Sequence, residues 1–548
     1  MPELFVYFTV AAVCGADWIG TEILGRPTDD SITVNAIAEV RLDALVEYGL
    51  DPAGPWSQTP VISYNPGDVV EVQLNDLAPN TRHFYRVVYC SMPDCVWIER
   101  PVRTFHTRRE PGDAFRFGVQ ADSHLQDSIG SEDGERLRGL YANTMALIEA
   151  DAHDLLFDLG DTFQTEIYSG IGNASTYQQA LRRYHDQRSF FGVACHSSPL
   201  FLVLGNHESE QGWRFAELDP LASWSETARL ATYPNPDPAT DAFYSGNTDG
   251  KENYYAFSWG DALFVALDPY RYTMTKPHHN PAGDFGSGER WDWTLGAEQY
   301  QWLVDTLEGS AATFKFVFSH QVTGGVNLYG RGGIEAASDA VGGFGSYEWG
   351  GENQDGSYGF DVHRPGWSKP IHDLLRDTNV AIFFHAHDHS YAQQLLDGVV
   401  YHETPQPSDA TYGPGFRAPG RYTNGVLLNN SGYLRVSVDP RVVVVEYVRS
   451  FLHGEGPNGS VAETYAVTDC NANGRPDRHD TRLGSMVCPD FTRDGSIDLL
   501  DFATFATCFA LQLPGNLDCI CADTDGNDSI DLVDFATFSL CFGASQTQ

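Results

Sequence analysis

The stretch FRFGVQADSH, residues 115–124, closes an apolar run on Asp122 and His124, and four later stretches close in the same way. LLFDLGD (155–161) ends at Asp161, LFLVLGNHE (200–208) at Glu208, FKFVFSH (314–320) at His320 and AIFFHAHDH (381–389) at His389. An apolar run of about four to eight residues bounded by polar ones reads as a buried strand. Donors placed just past such strands sit where open α/β sheets put their sites. Any one of these patterns arises often by chance, but five in one order point to a metal centre.

The donor types say what kind. Carboxylate and imidazole together suit Zn, Fe or Mn, and no cysteine accompanies them, which argues against a thiolate site. Two such ions about 3.5–4 Å apart can clamp a phosphoryl group, provided a carboxylate bridges them.

The order D-x-H, G-D, G-N-H-E, a lone H and H-x-H resembles the calcineurin-like metallophosphoesterase superfamily over residues 113–455, with Ala386 where that family usually carries glycine. The resemblance implies an αββα sandwich, two transition metals, and hydrolysis of phosphate esters by metal-activated hydroxide. Carried over residue by residue, Asp161 bridges the metals. Asp122, His124 and His389 complete one, and Asn206, His320 and His387 the other. His207 stays off the metals and protonates the departing alkoxide, with Glu208 orienting it. His385 is an extra histidine with a structural role.

Two departures narrow the subfamily. GDTFQTE (160–166) lacks the second aspartate and the arginine of the GDxxDRG motif of protein phosphatases. Phe163 and His124 stand where purple acid phosphatases place a tyrosine and lack the histidine, so no tyrosinate-to-iron colour is expected.

Residues 17–108 read differently. ILGRPTDDSITVNAI, LDALVEYGL, DVVEVQLNDLAPNTRHFYRVVYC and VRTFHT alternate apolar and polar residues between turn formers, the pattern of a β-sandwich. The segment resembles the fibronectin-III-like amino-terminal domain of purple acid phosphatases, LAPNTRHFYRV carrying His83 where the first aromatic usually sits. Cys90 and Cys95 are placed to staple a hairpin, and TRREPGD is the linker onward. Within 113–455, ERLRGLYANTMALIEA and GAEQYQWLVDTLEG are helical stretches alternating with the strands, as in α/β layers. Two long segments interrupt them: 270–293, with Tyr270, Tyr272, His278 and His279, and the glycine-rich 322–358. Loops of such length commonly wall a site, and Arg331 is the candidate phosphate contact there.

The tail, 466–548, carries three acidic loops. DCNANGRPDRHD offers Asp469, Asn471, Asn473, Asp477 and Asp480; DFTRDGSIDLLD offers Asp490, Asp494, Asp498 and Asp501; DTDGNDSIDLVD offers Asp523, Asp525, Asn527, Asp531 and Asp534. Oxygen donors at such positions suit Ca2+. SIDLLDFATFATCF and SIDLVDFATFSLCF form an internal pair 33 residues apart, which resembles the duplicated units of type I dockerins. That resemblance implies a cohesin-like partner. A calcium-stiffened spacer without one is the other reading.

Ten cysteines, six of them in the tail, suit an exported protein, and the buried-hydrophobe reading is preferred for Cys195. Residues 1–16 are apolar and fit either a signal-peptide remnant or a first strand, as no basic residue precedes them. Nowhere else is there an apolar run long enough to span a membrane. A net charge of −40, with 74 acids against 34 bases, disfavours nucleic acid and anionic membranes as partners. The expectation is therefore a secreted phosphate monoesterase, with a phosphodiesterase or nucleotidase, or a binding protein acting through its tail, as the alternatives.

Overall fold

The computed structural model describes residues 17–125, 131–162, 174–277, 286–323, 331–337, 345–416, 422–471, 473–477, 489–492, 494, 496–509, 517–524 and 529–542. Residues 1–16, Phe163, His278 and His279 lie outside them.

The centre of the protein is a pair of facing sheets. One has six strands, in the order Leu200–Leu202, Leu155–Asp158, Phe115–Gln120, Gly432–Asp439, Val442–Arg449 and Val461–Thr468. The other has eight, with Ala262–Ala266, Phe314–Phe318 and Val380–His385 parallel at its middle. Phenylalanines fill the space between them: Phe117, Phe157 and Phe201 from the first meet Phe257, Phe264, Phe316, Phe318 and Phe384 from the second. Phe157 and Phe318 stack across the gap with ring centroids 4.2 Å apart.

Helices cover both outer faces. Glu132–Asp151 and Tyr177–Cys195 bury Tyr141, Met145, Ile148, Tyr184 and Phe191 against Leu156, Leu200 and Leu202 of the first sheet. Ala297–Gly309 and Ile371–Asp377 bury Leu303, Leu307, Ile371 and Leu374 against Leu263, Val265 and Val317 of the second. The layers run α, β, β, α. Strands covered on both faces have to be apolar throughout, which is why the five motif stretches read as unbroken runs.

The sheet continues further than the expected end of the domain at 455. Val461–Thr468 pairs along Val442–Arg449 from Val442↔Thr468 to Val448↔Val461. It is an edge strand, mostly half-exposed, so ETYAV carries no apolar run to announce it.

Before this sandwich, a three-stranded and a six-stranded sheet lie within residues 17–108. They share one core, with Val34, Ala36 and Val70 from the smaller sheet against Leu42, Val46, Tyr85 and Val87 from the larger. A disulfide joins Cys90 to Cys95. Polar contacts tie this unit to the central layers. The Arg188 guanidinium, fully buried, donates to Asn35 Oδ1 and O and to the Thr232 carbonyl. Arg26 reaches Glu252 at 3.0 Å and the Asn235 carbonyl at 2.7 Å.

In the tail, the helices Leu499–Cys508 and Leu532–Cys541 have near-superimposable starts, with N-caps Asp498 (φ −134°, ψ −159°) and Asp531 (φ −132°, ψ −159°). Disulfides Cys470–Cys521 and Cys508–Cys519 staple the module. Its core of Phe491, Ile497, Phe505 and Phe538 is continuous with Val442 and Val444 of the catalytic sheet. No described helix is long and apolar enough to cross a membrane.

Candidate metal centre

All five motifs leave the carboxyl ends of parallel strands and converge between the two sheets. Register aligns them: Gln120 pairs with Asp158, Asp158 with Leu202, and Phe318 with Phe384. Donor atoms of Asp122, His124, Asp161 and His389 lie within 4.8 Å of one another, as do those of Asp161, His320 and His387. Asp161 belongs to both groups, as a bridging carboxylate must. Asp43, Cys90 and Cys95 also lie close together, but both sulfurs are in a disulfide.

Nε2 of His124 and of His389 are 3.0 Å apart. His389 Nε2 lies 3.3 Å from Asp122 Oδ1, and His320 Nε2 3.1 Å from Asp161 Oδ2. Asp122 Oδ1, Asp161 Oδ2, Asn206 Oδ1 and His320 Nε2 are buried without a hydrogen-bond partner of proper geometry. Orphaned buried polar atoms are costly. Cations held among them would satisfy them, so the residues fit the dinuclear centre that the motifs imply.

Charge fits as well. Burial pushes the carboxyls of Asp122 and Asp161 up, yet the neighbouring imidazoles hold both well below the usual carboxylate range. Burial would lower His320, but the Asp161 carboxylate beside it raises it to about 10. Burial lowers His387 and His389, and neutral imidazole is the liganding form.

Backbone strain is concentrated here. Asp122 (φ +58°), His124 (+45°), Asp161 (+54°), His387 (+80°) and His389 (+51°) all adopt the left-handed conformation. Each such residue costs roughly 1–3 kcal/mol and persists only where its surroundings enforce it. Gly160, at φ +96°, is packed against Gly205, where a Cβ on either would collide with the other loop. Ala386, in the usual glycine position, is not left-handed; its N–H donates to the His320 carbonyl at 2.9 Å, and the methyl group is buried in the core.

Outer partners fix the donors. His320 Nδ1 bonds the Leu159 carbonyl at 2.7 Å, which turns Nε2 toward Asp161. Asp122 Oδ2 accepts from His387 N at 3.0 Å, and Asp161 Oδ1 from His207 N at 2.7 Å. His207 Nε2 stands 3.9 Å from Asp161 Oδ2, and burial pushes its imidazole down to about 4. Glu208, fully buried, accepts from the backbone N–H groups of Asp161, Thr162 and Gly205 at 3.1, 3.0 and 2.6 Å. These bonds brace the Asp161 loop, a task the motif does not announce. His385 is buried, with Nδ1 2.6 Å from Glu403 Oε2.

Arg331 meets the His387 carbonyl at 2.5 Å and Asp388 Oδ1 at 3.0 Å. It is at the centre, but directed at the turn that carries two metal donors. Asp388 also accepts from Gly332 N and from the Tyr422 hydroxyl. Asp388 lies inside the last motif, and nothing in the sequence pattern singles out Tyr422, more than thirty residues beyond it. Tyr270, from the first long loop, is buried and donates to Gln321, the neighbour of His320.

In the tail, Asp501 Oδ1 and Oδ2 accept from Thr492 N and Asp498 N, and Asp534 Oδ1 and Oδ2 accept from Thr524 N and Asp531 N. Asp498 and Asp531 cap Leu500 N and Val533 N. Asp469 accepts from Asn473 N and Gly474 N, Asp477 from Cys470 N, and Asp494 from Ser496 N. Asn471 accepts from Asn473 N, and Asp490 from the Thr492 hydroxyl. Among the described residues no three tail carboxylates gather within 4.8 Å. Asp480, Asp525 and Asn527 lie outside those residues.

Comparison with known proteins agrees with the geometry. No curated protein matches the chain. A structure of PhoD superposes with a TM-score of 0.57 at 17% identity, covering 83% of this chain and 91% of the other. The purple acid phosphatase PPD1 from yellow lupin (Lupinus luteus) seeds gives 0.54 at 15% identity, covering 82% and 74%. Both likenesses concern the fold. The calcineurin-like phosphoesterase family model matches residues 115–391, just over half of the chain and every donor named above, so the chain belongs to the calcineurin-like phosphoesterase family.

Proposed function

We propose that the protein is a secreted, metal-dependent hydrolase of phosphate monoesters. The observation that carries the reading is the pair of donor groups sharing Asp161, with His207 beside them. Two Fe, Mn or Zn ions, when bound, neutralise phosphoryl oxygens and lower the pKa of water. Asp122, His124, Asp161 and His389 would hold one, and Asp161, Asn206, His320 and His387 the other. His207 would give a proton from Nε2 to the leaving oxygen, which requires the imidazole that burial holds at about 4 to become charged beside the phosphoryl group first. Its backbone N–H is fixed on Asp161 Oδ1, so ring and shared carboxylate keep one geometry. Hydrolysis of an aryl phosphate monoester and of the matching diester, with metal analysis on the same sample, tests this.

A diesterase or nucleotidase is the second reading, and one feature favours the diesterase. Arg331, the cation expected to meet phosphate, is engaged by Asp388, and a diester carries less charge to be met. We read the amino-terminal unit as fibronectin-III-like and the tail as a dockerin-like module that takes Ca2+ and a cohesin-like partner. Its disulfides support an extracellular or cell-surface location. A binding protein working through the tail alone is the least supported reading, because every metal-donor position is filled. Calcium titration of the intact chain tests the tail: a stoichiometric rise in melting temperature is expected, and none would leave its aspartates as helix caps.

A further inference from the structure

We propose that Phe416 forms a subsite for a planar aromatic leaving group at the mouth of the metal centre, an inference that rests on the phosphoesterase reading above. Solvent reaches some of the residues at the centre and not others. The side chains of His389 and His207 are 15% and 10% exposed, whereas those of Asp122 and His320 are sealed. Phe416 lies beside the first of these, its ring edge-on to His389 with centroids 4.8 Å apart. It is 46% exposed, and among the described residues of the catalytic domain no other phenylalanine is as exposed. A ring kept in water beside a metal donor contributes little to the core and much to whatever lies next to the bound phosphoryl group.

The ring is also held in place. Phe416 N donates to the Asp388 carbonyl at 2.8 Å. Gly415, at φ +61°, lets the chain pass where a Cβ would strike the His389 carbonyl. The Arg331 guanidinium lies 4.1 Å from the ring centroid and is fixed by Asp388 and the His387 carbonyl. A platform rigid before binding loses little entropy when a ligand ring settles on it. Aryl esters and nucleoside esters share the required chemistry: in the first the ring adjoins the ester oxygen, and in the second the base lies beyond a sugar.

The test compares metal-loaded wild type with Phe416→Leu, which keeps the bulk, and Phe416→Trp, which keeps the π face. Substrates are phenyl phosphate, a nucleoside 5′-monophosphate and an n-alkyl phosphate; binding of phenylphosphonate and methylphosphonate is measured by calorimetry, with metal content checked in each protein. In Phe416→Leu the aromatic-to-alkyl ratio of kcat/KM and the phenyl-to-methyl ratio of phosphonate affinities should both fall about three- to ten-fold, the worth of one ring pair. Phe416→Trp should restore them. A fall confined to phenyl phosphate would place the ring directly on the ester, and one confined to the nucleotide would place the base there. Ratios unchanged in a protein that hydrolyses esters would overturn the subsite alone, whereas absence of any ester turnover would overturn the phosphoesterase reading and the subsite with it.

Discussion

Nε2 of His124 faces Nε2 of His389 across 3.0 Å, although 265 residues separate them in the chain. Two buried imidazoles aimed at one point, with Asp122 and Asp161 closing the other sides, describe a ligand set rather than packing. Asp161→Asn should therefore lower bound transition metal from two ions toward one or none. It should cut ester turnover by more than the roughly 10–100-fold that loss of an outer partner costs. Elemental mass spectrometry of the variant checks the first outcome, and initial rates the second.

His207 stands beside the shared carboxylate without being one of the grouped donors. His207→Ala should retain both metals and slow alkyl esters by about 100-fold or more, the usual worth of a positioned acid, while activated aryl esters lose far less. Equal losses on both would remove its role as proton donor.

Arg188 is a buried cation whose guanidinium bonds are to neutral oxygens, those of Asn35, Thr21 and Thr232. Burial lowers its pKa to about 10, which leaves it charged at neutral pH. Arg188→Met strands those acceptors between the amino-terminal unit and the catalytic layers. The expected loss is about 2–4 kcal/mol in urea unfolding, with metal content unchanged in the folded fraction.

His153 is fully buried, and burial lowers its pKa from 6.5 to about 4. A depressed histidine pKa means that the folded state favours the neutral ring. That contribution is complete above 6.5 and is lost as pH falls through 4, when the unfolded chain takes up the proton first. The span of about 2.5 units corresponds to about 3 kcal/mol. His153→Gln should lose about 2–3 kcal/mol less stability than wild type between roughly pH 7 and pH 4.5.

Much of this could be read from residue order. Strands buried on both faces must be apolar, so the runs closing at His124, Asp161, Glu208, His320 and His389 betrayed the two central sheets, and six of the residues read there as donors lie in the two groups that share Asp161. What escaped was what needs only one buried face or acts through backbone. Val461–Thr468 is an edge strand in which only Val467 is fully buried. The Glu208 carboxylate works on main-chain N–H groups that no side-chain pattern reports. Five donors adopt the left-handed conformation, and Gly160 packs against Gly205 in a contact between distant segments. Asp501 and Asp534 read as cation ligands, yet the same short carboxylates serve as helix caps, and local sequence cannot separate the two.

The most direct measurement is transition-metal content per chain, taken on purified protein together with hydrolysis of an aryl phosphate monoester. About two ions per chain, falling toward one or none in Asp161→Asn along with turnover, is the result predicted for a centre bridged by that residue. Purified protein that binds no transition metal after incubation with Fe, Mn or Zn, and leaves the ester intact, would contradict it.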